Sequence, residues 1–402
     1  MIIRPAHRTE TVREYFFSLK NKEIAALNAK RKAEGLDPVI NLGIGSPDGM
    51  PPQEAIEALC SAARLPDSHK YQPYVGLPEL REAFAGWYSR YYGVELDPGS
   101  EIQPLMGSKE GILTIFLTFI DEGDKVLIPD PGYPTYSSAA KMVGAQVLNY
   151  SLKEENGWYP DFDELENMDL EGVKMMWTNY PGMPTGAVPT PELYRRLVDF
   201  ALRHRILLVN DNPYSFILND NPISMLAAEG ARECVIELNS LSKAHNMAGW
   251  RVGMVAAASE YVTEILKVKS QMDSGSFKPM QLASVAALAQ GPEWFSSLNE
   301  MYRSRKKLVW KLFDLIGARY DRGTAGLFVW GRVDGDNPFL EGTDTSKTLG
   351  ERLSDRFLYE AGVFITPGLV FGHNGDNYIR ASLCAGEEVI ANAMEKINKL
   401  IK

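Results

Sequence analysis

The chain contains few cysteines and few histidines, and the spacing of both excludes the sites that these residues most often build. Its three cysteines are Cys60, Cys234 and Cys384, and no Cys-x-x-Cys pair occurs. Widely spaced cysteines are typical of reduced thiols in a cytoplasmic protein rather than of a disulfide framework. The five histidines form no His-x-His or His-Glu-x-x-His pattern. We therefore expect no metal site.

The chain also lacks a long apolar run and an excess of positive charge. The apolar run 111–120 is about half as long as a helix that spans a bilayer. The first residues lack the apolar centre of a signal peptide. The 42 Lys and Arg residues are outnumbered by 52 Asp and Glu residues, which gives a net charge of −10. Neither a membrane nor a nucleic acid is therefore an expected partner.

What the chain does contain is an alternation of short apolar runs with helical patterns. The apolar runs predict strands at 125–129, 145–150, 173–178, 206–210, 235–238 and 252–257. Helical patterns lie between several of these strands. This alternation predicts an α/β fold with a mostly parallel central sheet that helices cover on both faces.

The two ends of the chain differ from this alternating centre. Apolar spacing near the N-terminus predicts a helix over about residues 11–35. After about residue 280 the pattern is typical of a smaller α+β domain, with strands predicted at 326–333, 364–367 and 377–382 and a last helix at 387–401. We predict three parts: an arm and helix packing with the small domain (1–45), a large domain (46–285) and the small domain (286–402).

Residues that can carry chemistry follow the ends of the predicted strands. They include Tyr133, Asn179, Asp211, Tyr214 and Lys243, and also Gly107, Ser108 and Lys109, which follow the stretch 102–106. Ligands of open α/β sheets bind beyond the carboxyl ends of the strands, so we expect these residues to lie at one edge. Lys243 stands in the stretch 240–253, directly after one of the apolar runs.

Two of these positions favour ligand binding: the stretch 107–109 favours an anion, and Asp211 favours a cation. Each also has an explanation in which the residue only stabilises the local fold. Gly107-Ser108-Lys109 opens a helix, where free N–H groups bind phosphate, and Ser240, Ser242 and Arg251 are candidate partners. A serine that only caps the helix is the alternative. Asp211 follows four apolar residues, and a buried carboxylate needs a cationic partner, such as a protonated ring nitrogen. An Asx-turn before Pro213 is the alternative.

Tyr133 and Arg380 likewise allow both a ligand-binding and a structural interpretation. Tyr133 follows a Pro-Gly turn, where its ring can stack on a flat cofactor, although core tyrosines are common. Arg380 lies inside an apolar strand and therefore needs an anionic partner. That partner is either the carboxylate of a substrate or a carboxylate of the protein.

The stretch 240–253, with Ser240-x-x-Lys243 and then Arg251, resembles the lysine signature of the class I/II aminotransferases. These are pyridoxal-phosphate (PLP) enzymes of fold type I. The order of the other motifs agrees over nearly the whole chain: Asn41-Leu-Gly-Ile-Gly45, Tyr71, Gly107-Ser-Lys109, Pro131-Gly-Tyr133, Asn179 to Gly186, Asp211-x-x-Tyr214 and Arg380. The resemblance implies an enzyme that moves an amino group from an L-amino acid to a 2-oxo acid by a ping-pong mechanism.

The resemblance also implies a role for each residue. Lys243 would form the internal aldimine with PLP and then move protons, with Asp211 on the pyridine nitrogen and Tyr214 on the phenolic oxygen. The other residues implied to hold PLP are Tyr133, Asn179, Ser108, Lys109, Ser240, Ser242 and Arg251. Tyr71 and Ser274 would reach the phosphate of a neighbouring subunit, which implies a homodimer. Gly45, Arg380 and Tyr15 would bind the amino acid.

One position departs from the family pattern. The chain has Met183-Pro-Thr-Gly where the family usually has Asn-Pro-Thr-Gly, and that asparagine normally donates to the phenolic oxygen of PLP. Methionine cannot donate a hydrogen bond. Asn179, at the start of the same loop, is the candidate substitute.

The reaction and the substrate stay open at this stage. A PLP-dependent C–S lyase or decarboxylase would share almost all of these residues, and a non-catalytic PLP-binding sensor is a remote alternative. Tyr15, Phe16 and Phe17 favour apolar or aromatic substrates. A dicarboxylate would need a second cation, for which Lys70 and Lys278 are the candidates.

Overall fold

The strands of the described part of the chain, residues 2–400 of a computed structural model, form sheets of seven, four and two strands. In chain order they are β1 (Ile40–Asn41), β2 (Ile102–Leu105), β3 (Lys125–Asp130), β4 (Gln146–Ser151), β5 (Val173–Thr178), β6 (Leu207–Asp211), β7 (Val235–Ser240), β8 (Gly253–Ala256), β9 (Arg319–Tyr320), β10 (Phe328–Arg332), β11 (Val363–Phe364), β12 (Thr366–Pro367) and β13 (Tyr378–Ser382).

Helices surround these sheets. In chain order the α-helices are α1 (Phe16–Ala33), α2 (Gln53–Ala62), α3 (Pro78–Tyr92), α4 (Ser108–Phe119), α5 (Pro134–Met142), α6 (Phe162–Glu166), α7 (Pro191–His204), α8 (Ala231–Cys234), α9 (Leu241–Ala244), α10 (Ser259–Lys269), α11 (Lys278–Leu288), α12 (Pro292–Leu315), α13 (Leu349–Arg356) and α14 (Glu387–Asn398).

The seven-stranded sheet has the order β2-β8-β7-β6-β5-β3-β4, and β8 alone runs antiparallel to its neighbours. One face is covered by α4, α5 and α10, whose apolar side chains pack with Trp177 and Ile236. The other face packs against helices that include α3 and α7. The predicted α/β fold with a mostly parallel sheet is therefore confirmed.

Helix α7 shows how the local sequence builds this cover. The Thr190 hydroxyl accepts a hydrogen bond from the Leu193 N–H at 3.0 Å, and Pro191 occupies the first turn, where its missing N–H costs nothing. Leu193, Leu197 and Ala201 share one buried stripe. Helix α7 therefore begins at Pro191 and packs its apolar stripe towards the sheet, as its sequence predicts.

The C-terminal part contains a four-stranded antiparallel sheet of order β12-β13-β10-β9. Helix α12 packs on β10 and on α14. Strand β1 pairs in parallel with β11, so the N-terminal segment reaches this part of the chain. Helix α14 lies where the last helix is predicted, and the predicted end at residue 401 lies outside the described residues.

Helix α1 begins at Phe16, later than the predicted start near residue 11. The prediction was wrong there because the preceding residues form turns. The Thr11 hydroxyl donates to the carbonyl of Arg8 at 2.9 Å, and Tyr15 has extended backbone angles. Tyr15 therefore precedes α1, so the helix does not fix the direction of its side chain.

Candidate active site

The carboxyl ends of the parallel strands surround one cavity of about 500 Å³. It is lined by residues that follow β2, β3, β5, β6 and β7, together with residues from β10 and β13. Strand β8 runs the other way, so Arg251, which precedes it, reaches the same edge. The predicted residues in this lining are Tyr15, Gly45, Ser108, Lys109, Tyr133, Asn179, Met183, Asp211, Tyr214, Ser240, Ser242, Lys243, Arg251 and Arg380.

Lys243 lies in the short helix α9, directly after β7. Its Nζ donates a hydrogen bond to the backbone oxygen of Gly45 at 2.6 Å. Within residues 2–400 it has no carboxylate within salt-bridge distance. Burial lowers the pKa of this amine, and the nearby Arg380 and Arg251 lower it further. These surroundings favour the neutral amine, which is the form that acts as a nucleophile and base.

Asp211 ends β6 and is 5% exposed. Its Oδ2 accepts a hydrogen bond from the Tyr136 hydroxyl at 2.9 Å, whereas its Oδ1 has no partner among the described residues. Burial raises the pKa of this carboxyl to about 6. Neither oxygen of this side chain accepts from a backbone N–H among the described residues, and Pro213, two residues on, has no N–H to complete an Asx-turn. One buried oxygen thus remains available to a cationic donor.

A cup at the start of α4 is formed by Gly107 and by the side chains of Ser108, Ser240, Ser242 and Arg251. Gly107 has φ +82°, and a Cβ there would lie 2.4 Å from Nη2 of Arg251, so the position requires glycine. Gly107 itself is the N-cap of α4, and Ser108 does not cap the helix through its side chain. The Ser242 N–H donates to Oγ of Ser240 at 3.1 Å. The hydroxyls and the guanidinium therefore meet beside free N–H groups.

Arg380 on β13 is 3% exposed and forms no salt bridge within residues 2–400. Its Nη2 donates to the Gly43 oxygen at 2.7 Å, and its guanidinium lies 3.8 Å from the ring centre of Phe328. Burial lowers the pKa of this group to about 10. A structural ion pair does not occupy Arg380, so its charge is available to an anion in the cavity.

The loop after β5 is held by Asn179. Its Nδ2 donates to the Asp211 backbone oxygen at 2.5 Å, and its Oδ1 accepts from the Met183 N–H at 2.8 Å. The Met183 sulfur lies 3.2 Å from Nη1 of Arg380. Asn179 therefore positions Met183 and the end of β6 through hydrogen bonds to their backbones.

The sequence model of the family "Aminotransferase class I and II" matches residues 37–397 of this chain. This match contains every motif described above from Asn41 to Arg380. The chain belongs to the class I and II aminotransferases. Enzymes of this family use pyridoxal 5′-phosphate, and the chain is an amino-acid aminotransferase.

Similar proteins agree with this assignment. An LL-diaminopimelate aminotransferase of Aquifex aeolicus is 38% identical over 98% of both chains, and one of Desulforudis audaxviator is 40% identical over 98% of this chain and 96% of its own. The substrate-bound BacF structure of Bacillus subtilis superposes with a TM-score of 0.89 at 34% identity, covering 100% of this aminotransferase and 98% of BacF.

The residues of this aminotransferase fit PLP. The cofactor carries a protonated ring nitrogen and a phosphate. The partnerless Oδ1 of Asp211 suits the nitrogen, and the cup around Gly107 suits the phosphate. Lys243 lies in the lining of the same cavity. The donors and acceptors of the cavity are therefore those that the cofactor requires.

Some predicted residues lie elsewhere, and some lining residues were not predicted. Tyr71 is 89% exposed and Ser274 is exposed, and neither lines the cavity of its own chain. The Lys278 ammonium pairs with Asp67 at 2.5 Å outside the cavity. Sequence reasoning missed Tyr136, Phe328 and Phe371. Tyr136 follows Tyr133 by three residues at the start of a helix. Residues at this spacing lie on the same side of a helix, so the position of Tyr136 could have been predicted from that of Tyr133.

In the part of the chain that the structure describes, no helix combines the length and the apolar character that crossing a membrane requires.

Proposed function

We propose that Lys243 holds PLP and carries the proton in a ping-pong transfer of an amino group from an L-amino acid to a 2-oxo acid. One observation carries this proposal. Among residues 2–400, a half-buried lysine without a carboxylate partner lies in the same cavity as the half-satisfied Asp211 and as Arg251 and Arg380, which form no ion pair. This set provides a place for a ring nitrogen, a phosphate and an α-carboxylate at once.

When PLP is bound, it supplies an electron sink for the bond broken at the α-carbon. Asp211 would keep its ring nitrogen protonated, and Tyr214 would donate to its phenolic oxygen. Tyr133 would contact the ring, and Asn179 holds the neighbouring loop. The residues that hold the phosphate are Ser108, Lys109, Ser240, Ser242 and Arg251.

The substrate is oriented by Arg380 and by the backbone at Gly45. The guanidinium of Arg380 binds the α-carboxylate through two N–H groups. A Cβ at Gly45 would lie 2.2 Å from the Phe328 ring, so the close packing of this ring requires glycine at this point. The neutral amine of Lys243, once free, removes the α-proton, and its lowered pKa suits that task.

The apolar part of the cavity lining favours an apolar or aromatic donor. Tyr15, Phe17, Ile44 and Phe371 contribute to this lining. LL-diaminopimelate is the second candidate, because the curated relatives bear that name.

A donor screen tests this function. The loaded enzyme is mixed with L-phenylalanine, L-tyrosine, L-leucine, L-aspartate or LL-diaminopimelate, with 2-oxoglutarate or pyruvate as acceptor. We expect at least one donor to remove the visible absorption band of the lysine-bound cofactor, and the acceptor to restore it. An enzyme that keeps its band with every donor contradicts the proposal.

We also propose a homodimer whose active sites are shared. The exposed Tyr71 and Ser274 belong to loops that pack on each other, since a Cβ on Gly275 would lie 2.6 Å from the Gln72 oxygen. Exposed apolar side chains, including Phe277 and Met272, extend this surface. Such a patch suits a second copy of the chain.

We further propose a cytoplasmic location.

Replacing Tyr71 by phenylalanine is expected to weaken PLP retention about tenfold, because a hydroxyl that donates to a charged phosphate is lost. Equilibrium dialysis of the cofactor measures this, and sedimentation tests for the dimer. Tyr74→Phe, on the same loop, is the matched control and should retain PLP normally. Full retention in Tyr71→Phe, or a monomer in sedimentation, speaks against shared sites.

Replacing Met183 by asparagine is expected to lower the pKa of the nitrogen that links Lys243 to the cofactor. An amide donor at the phenolic oxygen withdraws charge from the group beside that nitrogen. A pH titration of the visible band measures the change, and Met183→Leu is the control that adds no donor. If the titration of Met183→Asn is unchanged, residue 183 does not affect the pKa of that nitrogen.

We propose the domain division 1–45, 46–285 and 286–402. The pairing of β1 with β11 supports an N-terminal arm that packs with the small domain. The seven-stranded sheet lies wholly within the second part, and the four-stranded sheet lies within the third.

A further inference from the structure

A buried carboxylate outside the roles proposed above joins the two larger sheets beside the cavity. Asp130 ends β3 and is 8% exposed. Its Oδ1 accepts from the Asn374 backbone N–H at 3.0 Å, and its Oδ2 accepts from the His373 backbone N–H at 3.1 Å. Asn374 Nδ2 also donates to the Asp130 backbone oxygen at 3.0 Å. The end of β3 is thus tied to segment 368–377, which connects β12 to β13.

Segment 368–377 carries Phe371, which lines the cavity. The Phe371 ring centre lies 4.5 Å from the guanidinium carbon of Arg380. The Phe371 backbone oxygen accepts from the Gly132 N–H at 2.7 Å, which is a further link to the turn after β3. An aromatic face attracts a cation at this distance, so the position of Phe371 restricts where the guanidinium lies.

The fit between Asp130 and this segment is close. Gly372 has φ +136°, and a Cβ there would lie 2.1 Å from Oδ1 of Asp130. Within residues 2–400 no lysine or arginine pairs with Asp130, so the backbone N–H groups satisfy its carboxylate. In Asp130→Asn, the amide NH₂ would face the backbone N–H of His373 or Asn374, and two donors form no hydrogen bond. The contact therefore requires a carboxylate at 130 and glycine at 372.

We propose that Asp130 is a positioning residue for the α-carboxylate site: it fixes segment 368–377 and, through Phe371, the guanidinium of Arg380. This inference rests on the proposed role of Arg380. Asp130 itself does not line the cavity. Its loss therefore weakens binding of the substrate carboxylate more than it slows proton transfer.

The test compares Asp130→Asn with Asp124→Asn, a carboxylate just before the start of the same strand. Asp124 accepts from the Asp121 N–H and pairs with Lys174, each at 2.8 Å. In Asp130→Asn, KM for the donor and acceptor found in the screen should rise about tenfold while kcat changes less than about threefold. Hydrogen–deuterium exchange of segment 368–377 should also rise. Asp124→Asn should change neither measurement.

A double mutant sharpens this test. Gly372→Ala pushes the segment away from Asp130, so it should raise KM in the same way. Asp130→Asn combined with Gly372→Ala should be no worse than the stronger single variant, because both break one contact. Additive losses contradict a shared contact. An unchanged KM in Asp130→Asn, or a fall in kcat alone, contradicts the positioning role.

Arg380→Lys separates the failure of this inference from the failure of the proposed function. If that variant raises KM and Asp130→Asn does not, Arg380 has its proposed role and Asp130 does not position it. If Arg380→Lys leaves KM unchanged, the proposed role of Arg380 is wrong, and the inference about Asp130 fails with it.

Discussion

Replacing Lys243 by alanine is expected to lower kcat about 10⁴-fold, the upper end of what a positioned acid–base group contributes. The variant loses both the amine that holds the cofactor and the base that moves the α-proton. It should also lose the visible band of the lysine-bound cofactor. Borohydride reduction followed by peptide mapping should label Lys243 in the parent enzyme and no lysine in the variant.

Lys306→Met is the matched control for this experiment. Lys306 is a buried lysine, and burial lowers its pKa to about 8. It donates to the backbone oxygen of Thr324 and does not line the cavity. The control should keep the band and the borohydride label on Lys243. A Lys243→Ala variant that keeps full turnover, or a label on another lysine, contradicts the assignment of Lys243.

Replacing Asp211 by asparagine is expected to lower kcat/KM about 10²- to 10⁴-fold. Removing one partner of a buried charge pair costs about 3–5 kcal/mol, because the remaining charge has no counterpart. Here the remaining partner would be the ring nitrogen of the cofactor, which would no longer be held in its protonated form and would be a weaker electron sink. Steady-state kinetics measure the loss. Cofactor binding through the phosphate cup should persist, since the cup lies on other strands.

Tyr136→Phe is the graded comparison for Asp211. The Tyr136 hydroxyl donates to Oδ2 of Asp211 and thereby lowers its pKa against the effect of burial. Loss of that single hydrogen bond should reduce kcat/KM about tenfold at most. An Asp211→Asn variant that is no more impaired than Tyr136→Phe would contradict a charge pair at this carboxylate.

The sheet and the location of the cavity follow from the sequence because both depend on local patterns. Short apolar runs predict buried parallel strands, and parallel strands bring their carboxyl ends to one edge. Lys243, Asp211 and Ser108 each follow a run of this kind, and the structure places all three at that edge. The antiparallel direction of β8 is not a local property, yet it brings Arg251 to the same edge.

Other features depend on contacts between distant segments and leave no periodic signal. Whether Arg380 pairs with a protein carboxylate is decided by the neighbours of β13, which the strand pattern does not contain. Asp130 and Asn374 are 244 positions apart and are brought into contact only by the fold. The start of α1 was misplaced because turn hydrogen bonds at Thr11 compete with a helical apolar pattern.

A single turnover without acceptor tests amino transfer most directly. The loaded enzyme is mixed with the best donor from the screen, and the 2-oxo acid and ammonia are both quantified. Amino transfer predicts an amount of 2-oxo acid equal to the bound cofactor, no ammonia, and a return of the visible band when 2-oxoglutarate or pyruvate is added. Ammonia release with continuing formation of a 2-oxo acid would contradict amino transfer and would indicate elimination.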